Sequence, residues 1–343
     1  MTAPGQPLVR ETGDPPEPGP AEVRVRVAGC GVCHTDLGFL YGGVRTKHEL
    51  PLALGHEIAG IVEAAGAGAE EWLGREVVVP AVLPCGECDL CRSGHECACR
   101  AQLMPGNDFH GGFASHLVVP ARWLVPAGDL PDGLQLADVA VLADAVTTPY
   151  QAMVRAETGA GDHAVLIGAG GIGGFGVQIA AALGARIIAV DIDDARLERA
   201  AAHGACATVN TRGLEAREAR QAVQAACREA GFPSHGLKVF EMSGTPAGQE
   251  LAWSLLTFAG TVAIVGFCLD KVPVRLSNLM AFDARAFGNW GCRPQLYAPA
   301  LDLIRSGRVR VTPFVRRFPM AEINQVLTDV RHHRIPERPV LVP

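Results

Sequence analysis

The sequence predicts an α/β chain of two domains, one of them built on a parallel sheet. Three observations carry this. Val165-Leu166-Ile167 runs into Gly168-Ala169-Gly170-Gly171-Ile172-Gly173, and a second apolar run, Ile187-Ile188-Ala189-Val190, ends in Asp191. Further apolar runs at Lys238–Glu241, Gly260–Gly266 and Ala286–Trp290 alternate with helical stretches, the rhythm of parallel strands joined by crossovers. Finally, 343 residues that are 48% hydrophobic are enough to fill two cores.

The first observation also names a ligand. G-x-G-x-x-G between a strand and a helix, with an acid about twenty residues further on, is the spacing of a Rossmann dinucleotide-binding unit. Gly168 permits the tight turn, Gly170 lets backbone approach a diphosphate, and Gly173 lets helix and strand pack closely, with Gly171 and Ile172 completing the loop. Asp191 falls where adenosine ribose hydroxyls arrive, which favours NAD over NADP because a fixed negative charge repels an extra phosphate.

A net charge of −6 argues against nucleic acid or an anionic membrane as partner. Residues 1–20 are rich in Pro, Gly and Glu without an apolar stretch, and no segment is long and apolar enough for a membrane span, so a cytoplasmic protein is expected. The eleven cysteines are unevenly placed, and in a reducing compartment a tight cluster reads as metal ligation before disulfides.

Taken in order, Glu22–Val27 alternates polar and apolar residues as an amphipathic strand does, and delivers the chain to Gly29-Cys30-Gly31-Val32-Cys33-His34-Thr35-Asp36. Cys33 offers a thiolate to a borderline metal. In Gly55-His56-Glu57, a charged pair opening an apolar strand costs desolvation, which ligation by His56, with Glu57 as an outer-shell or exchangeable ligand, would resolve. Cys85, Cys88 and Cys91, with Cys97 or Cys99 as the fourth ligand, lie in a loop broken by Pro84, Gly86 and Gly94. That is a closed structural zinc pattern, with an iron–sulfur centre as the minor alternative. Asp144, inside the apolar stretch Asp138–Ala145, again needs a cationic partner, capping being the other reading. Helices are expected at Tyr150–Ala156, Ala195–His203, Glu215–Ala230, Pro299–Ser306 and Met320–His332, and a strand at Ala205–Val209. Glu337–Val342 is expected to return to the first domain as a strand, confined to an edge by Pro339.

These motifs together resemble the zinc-dependent medium-chain alcohol dehydrogenases over essentially the whole chain. The resemblance implies a GroES-like catalytic domain at 1–148 with a structural zinc lobe at 84–100. It further implies an inserted Rossmann NAD-binding domain at 149–292 and a C-terminal return to the catalytic domain at 293–343. It also implies two zinc ions per chain. One would be catalytic, on Cys33, His56 and Asp144, and the other structural, on Cys85, Cys88, Cys91 and Cys99. Asp144 stands where the family usually has a third cysteine, so the ligand charge is kept on a harder donor. Thr35 would begin proton removal and Asp36 would orient His56. Gly38 replaces the histidine that many members use as an outer relay, leaving His34 or His48 as substitutes. His34 would approach the diphosphate, and Ser243, Gly266 and Phe267 would line the nicotinamide side.

Longer strings, such as Met104-Pro105-Gly106-Asn107-Asp108 and Leu276-Ser277-Asn278-Leu279-Met280-Ala281-Phe282, are similar to the branch that oxidises a ring hydroxyl of a cyclic acyl-CoA. That branch implies basic residues for the CoA phosphates, with Arg45, Lys47, Arg285 and Arg293 as candidates, and the family resemblance implies a homotetramer, with a homodimer as the alternative. The alternatives are a dehydrogenase of another secondary alcohol or polyol, and a non-catalytic sensor binding zinc and NADH.

Overall fold

A computed structural model describes residues 1–343. The chain forms two compact units: one of residues 1–147, 291–307 and 311–343, the other of residues 148–290 and 308–310.

In the first unit, β1 (Glu22–Gly31) is followed by α1 (His34–Tyr41), β2 (Glu57–Ala65), β3 (Glu76–Val79), α2 (Asp89–Arg92), β4 (His116–Pro120) and β5 (Val125–Pro126). A helix α3 (Thr147–Arg155) then starts the second unit, which continues β6 (His163–Ile167), α4 (Gly173–Ala182), β7 (Arg186–Asp191), α5 (Asp194–Ala202), β8 (Ala205–Asn210), α6 (Ala216–Glu229) and β9 (Lys238–Glu241). It ends with α7 (Pro246–Ser254), β10 (Thr261–Ile264), α8 (Ser277–Ala281) and β11 (Arg285–Gly288). The chain closes on the first unit with α9 (Tyr297–Arg305), β12 (Val315–Pro319), α10 (Ile323–Arg331) and β13 (Arg338–Val342).

The first unit holds a seven-stranded sheet in the order β12-β13-β1-β2-β3-β5, with β4 paired to β1. The alternation in β1 places Val23, Val25 and Val27 in the core with Ile58, Val62, Val77, Leu117 and Val119, while Arg24 and Arg26 turn to acids at the surface. The expected return is present, but β13 is not an edge strand. It runs parallel to β12 on one side and antiparallel to β1 on the other. Pro339 is tolerated inside the sheet because the β1 ladder pairs only Val340 and Leu341, and Pro339 contributes its carbonyl, accepting from the Val32 N–H at 2.9 Å.

The second unit holds a six-stranded parallel sheet in the order β11-β10-β9-β6-β7-β8. Numbered within the unit this is 6-5-4-1-2-3, the doubly wound order, and its direction reverses between β6 and β9. Ligands of such sheets bind beyond the carboxyl ends of the strands at that reversal. Here those ends carry Gly168 after β6 and Met242-Ser243 after β9. The predicted helices and strands are present to within a few residues, except that α3 begins at Thr147 and the stretch from Met320 opens with a 3-10 turn before α10.

Candidate active site and cofactor site

β1 ends at Gly31 opposite Glu57, the first residue of β2, so the two strands deliver Cys33 and His56 to one end of the sheet. Gly31 is required there: a Cβ on it would stand 2.0 Å from a Glu57 carboxylate oxygen. Cys33 caps α1, and Asp36 in the first turn accepts from the Cys33 N–H at 2.9 Å and the Gly55 N–H at 3.2 Å. The same carboxylate lies 3.4 Å from His56 Nδ1, and His56 Nε2 faces Asp144. Asp144 comes from the end of a 3-10 helix, Asp138–Ala143, anchored by the Tyr297 hydroxyl donating to the Ala143 carbonyl at 2.6 Å.

Cys33 Sγ lies 3.6 Å from Asp144 Oδ2, and His56 Nε2 lies 3.8 Å from the same oxygen. Tetrahedral zinc with ordinary bond lengths asks for S–O and N–O separations of about 3.6 Å and about 3.4 Å. With Glu57 added, the donor atoms all lie within 4.8 Å of one another. The set is one thiolate, one imidazole and carboxylate, which fits zinc. Burial alone would lower the His56 pKa, but the charge of Asp36 and hydrogen bonding to Asp144, Asp36 and Cys33 raise it well above its ordinary value. Thr35 Oγ1 lies 3.6 Å from Cys33 Sγ, beside the same donors.

One functional residue escaped the sequence reading. Arg338 of β13 is buried and forms a two-pronged ion pair with Glu57, its Nε 3.1 Å from Oε2 and its Nη2 on Oε1. Its Nη2 is also 3.8 Å from Asp144 Oδ2. Glu57 is thus held by a guanidinium as well as lying among the metal donors. Burial raises its carboxyl to about 7, Arg338 pulling the other way and Asp144 adding to the rise. The signal was an arginine opening an otherwise apolar strand, the same kind of anomaly that exposed Asp144.

The structural lobe is equally specific. Cys85, Cys88, Cys91 and Cys99 converge, and Cys97 is not among them. Their sulfurs stand 3.9 Å (Cys85–Cys91), 3.5 Å (Cys88–Cys91), 3.8 Å (Cys88–Cys99) and 3.5 Å (Cys85–Cys99) apart. Zinc–sulfur bonds of about 2.3 Å at tetrahedral angles require about 3.8 Å. Backbone N–H groups of Glu87 and Cys88 draw the Cys85 thiol down to about 6, favouring the thiolate that binds metal.

In the second unit, Gly168 has φ of +91°, and a Cβ on it would lie 2.6 Å from the Ser243 nitrogen, so only glycine fits. Helix α4 has Ile172 at its N-cap and no side-chain cap, and in its first turn the Gly174 N–H donates to the Gly170 carbonyl at 2.8 Å. Asp191 Oδ2 accepts from Ala169 N–H at 2.7 Å, and Oδ1 accepts from Ile192 and Asp193 N–H at 2.8 and 3.0 Å. Those three bonds fix the carboxylate beside the glycine loop. Arg196, a second residue the sequence reading passed over, stands 3.8 Å from Asp191 Oδ1, its guanidinium next to Gly170. At the end of β9, buried Glu241 Oε1 accepts from the Ser243 and Gly244 N–H groups at 2.8 and 3.0 Å and from the Ser243 hydroxyl, while Oε2 has no hydrogen-bond partner. A Cβ on Gly266 would meet Glu241 Oε2 at 2.8 Å, so Ser243 and Gly266 flank one carboxylate; Phe267 is exposed.

The remaining candidates are scattered. His34 is exposed and stacks with His333. Lys47 pairs with Asp108 at 2.9 Å, Arg45 is exposed, and Arg293 is half-buried. Arg285 begins β11, at the amino ends of the parallel strands and thus at the opposite edge from Gly168. There it bonds to Thr261, to the Ala156 carbonyl and to Glu157, which removes it from the phosphate-binding candidates.

Residues 19–132 match the family described as alcohol dehydrogenase GroES-like domain, and residues 171–306 match that described as zinc-binding dehydrogenase. An alcohol dehydrogenase of Moraxella sp. (strain TAE123) is 32% identical over 340 residues, 98% of this chain and 96% of that one. The chain belongs to the zinc-binding medium-chain dehydrogenase/reductase family. Among solved medium-chain dehydrogenases, galactitol-1-phosphate dehydrogenase from Escherichia coli superposes with a TM-score of 0.88 at 26% identity, covering 100% of this chain and 98% of that one. The alcohol dehydrogenase of Aeropyrum pernix superposes equally, with a TM-score of 0.88 at 28% identity and the same coverage. The GroES-like unit and the Rossmann unit of this medium-chain dehydrogenase therefore carry a catalytic zinc site, a structural zinc site and an NAD site. No helix is long and apolar enough to cross a membrane.

Proposed function

We propose that this dehydrogenase oxidises a secondary alcohol to a ketone, reducing NAD to NADH and releasing one proton. The observation that carries the reading is the convergence of Cys33 Sγ, His56 Nε2 and Asp144 Oδ2 on one point, with Thr35 beside them. Cys33, His56 and Asp144 would hold the catalytic zinc, and bound there it supplies the Lewis acidity that lowers the pKa of an alcohol hydroxyl. Thr35 accepts a hydrogen bond from that hydroxyl and begins its deprotonation. Asp36 fixes the His56 ring, and Arg338 holds Glu57 in place. The Gly168–Gly173 loop takes the NAD diphosphate and Asp191 the adenosine ribose, while Ser243, Gly266 and Phe267 lie along the nicotinamide. The relatives are named for alcohols and for a polyol phosphate, which supports this breadth of substrate.

The finer reading is that the alcohol is 6-hydroxycyclohex-1-ene-1-carbonyl-CoA, oxidised to 6-oxocyclohex-1-ene-1-carbonyl-CoA in anaerobic benzoyl-CoA degradation. It is supported by a carboxylate, Asp144, where most of the family has a cysteine, and by Ala143-Asp144-Ala145-Val146-Thr147-Thr148-Pro149-Tyr150 and Gly288-Asn289-Trp290-Gly291. Arg45, Lys47 and Arg293 remain as contacts for the CoA phosphates. A cytoplasmic homotetramer completes the proposal, in keeping with eleven cysteines none of which is in a disulfide.

The test is NADH production by zinc-replete protein on that CoA ester, its free acid, simple cyclohexenols and polyols. Turnover of any secondary alcohol supports the broad reading, and a strong preference for the CoA ester supports the finer one. Equal rates with and without CoA would reject the finer reading. No turnover on any alcohol, with full zinc occupancy, would reject both.

A further inference from the structure

The second unit carries a surface cavity of about 350 Å³ that the reaction described above does not use. Every residue lining it belongs to that unit, and none comes from the glycine loop, Asp191, Ser243 or Gly266. Its walls are α6, α7 and the segment from Pro273 to Phe282 that precedes β11. Bonds within the protein hold these walls in place. Trp253 of α7 donates from its indole Nε1–H to the Arg275 carbonyl at 3.2 Å, and the Asn278 N–H donates to the same carbonyl at 3.1 Å. Phe282 packs edge-on against Phe258, with ring centroids 5.0 Å apart. The volume lies at the small end of the range for sites of small organic molecules, about 300–1,000 Å³.

The lining has two characters. Trp253 and Phe282, half-buried, and Leu256, buried, supply aromatic and apolar surface. Arg220 of α6 and Arg275 supply two exposed guanidinium groups, and neither group is engaged in a hydrogen bond or ion pair. Three other arginines of the unit are engaged: Arg155 on the Gly288 carbonyl, Arg212 on the Ile192 carbonyl, and Arg285 on Thr261 and Glu157. The Asn278 amide is also uncommitted, and so is Glu250, the one acid in the lining. Two guanidinium groups against one carboxylate leave the cavity one net positive charge, which disfavours a cation and matches a monoanion better than a phosphate dianion. A guanidinium fork takes a carboxylate through parallel N–H donors, and an indole beside a phenyl ring favours a flat aromatic body.

We propose that this cavity is a binding site for a small aromatic carboxylate, its carboxylate held by Arg220 and Arg275 and its ring set against Trp253 and Phe282. Such a ligand is not the cofactor, whose glycine loop lies outside the lining. It touches α6, α7 and the segment 273–282 at once, so it is an effector that braces the unit and not a reactant. The site does not depend on which alcohol the dehydrogenase oxidises.

The measurement is calorimetric titration of the zinc-replete protein with phenylacetate, cyclohexylacetate and inorganic phosphate, with thermal melting alongside. It is made on wild type, on the double variant Arg220→Gln/Arg275→Gln, and on Arg217→Gln, which alters an exposed arginine of α6 outside the lining. All three side chains are exposed, so the variants should melt with the wild type. The expected result is that phenylacetate binds wild type and R217Q alike, more tightly than the other two probes, and raises the melting temperature of both. It should bind R220Q/R275Q at least about tenfold more weakly, as loss of two charge-assisted contacts implies. Unchanged phenylacetate affinity in R220Q/R275Q would seat the carboxylate elsewhere, and equal weakening in R217Q would reduce the effect to net charge; either result overturns the proposal. So does a wild type that takes up no phenylacetate at millimolar concentration. Cyclohexylacetate or phosphate binding as tightly as phenylacetate overturns the aromatic carboxylate as the ligand class.

Discussion

Replacing Arg338 by methionine removes one partner of a buried ion pair while keeping a side chain of similar length. Glu57 is fully buried and Arg338 nearly so, and both prongs of the guanidinium are used. Breaking such a pair by removing one member costs about 3–5 kcal/mol, far more than the pair itself contributes, because the other charge is left without compensation. At about 2–4 °C per kcal/mol for a unit of this size, R338M should melt about 6–20 °C below wild type. The loss should depend on pH, and the sign follows from Glu57. Burial already raises its carboxyl to about 7 with the arginine in place, and without it the rise is larger. The folded variant then binds a proton that the unfolded chain does not, so its stability falls as pH rises. The gap to wild type should be narrow near about pH 5 and wide near about pH 8. Scanning calorimetry at both values reads the effect, and the double variant E57Q/R338M should recover most of it. An R338M protein that melts within about 2 °C of wild type at the higher pH would refute the argument, since a buried unpaired carboxylate cannot cost so little.

Three further outcomes are expected. Asp144→Ala should lose one zinc per chain and turnover, whereas Asp144→Cys should keep both ions by metal analysis; full occupancy in the alanine variant would remove Asp144 from the ligand set. Cys88→Ser should lose the other zinc and lower the melting temperature by several degrees, because binding free energy of a closed site is folding free energy; Cys97→Ser should lose neither. Burial raises the Glu241 pKa against the hydrogen bonds from Ser243 and Gly244, so stability from its protonated form is complete below the ordinary carboxylate range and is lost as pH rises through the folded value. Glu241→Gln should therefore gain stability relative to wild type as pH rises, and a stability difference that is flat with pH would show that the carboxyl does not titrate in the folded state.

Much of this molecule was legible because its chemistry needs residue types that are costly elsewhere. The glycine loop and Asp191 could be read from spacing alone, since Gly168 has no room for a side chain and the acid must follow at the end of the next strand. The cysteine lobe was legible as a cluster, but spacing left Cys97 and Cys99 open; the choice depends on the short 3-10 turn Glu96–Ala98, which puts Cys99 on the cluster. Pro339 misled for a definable reason. Its missing N–H matters only where a ladder needs a donor, and the extent of a ladder is a property of two strands. Arg338 was missed because its meaning lies in Glu57, 281 positions away, and no local pattern joins them.

That last pair bears on how the site is built. A strand from the end of the chain carries the guanidinium that neutralises Glu57, whose carboxylate needs the space left by Gly31, and Gly31 in turn lies in register with Glu57 across β1 and β2. The metal donors Cys33 and His56 sit one or two residues beyond those same strand ends. The ion pair and the ligand set are therefore parts of one structure. A histidine and an aspartate converging on a thiolate would bring concentrated charge into a buried place, and Arg338 is a fixed cation that offsets it before any metal binds. The C-terminal return is what brings that cation: removal of β13 would uncover the sheet and also leave Glu57 and Asp144 facing each other across a buried site with no permanent positive charge.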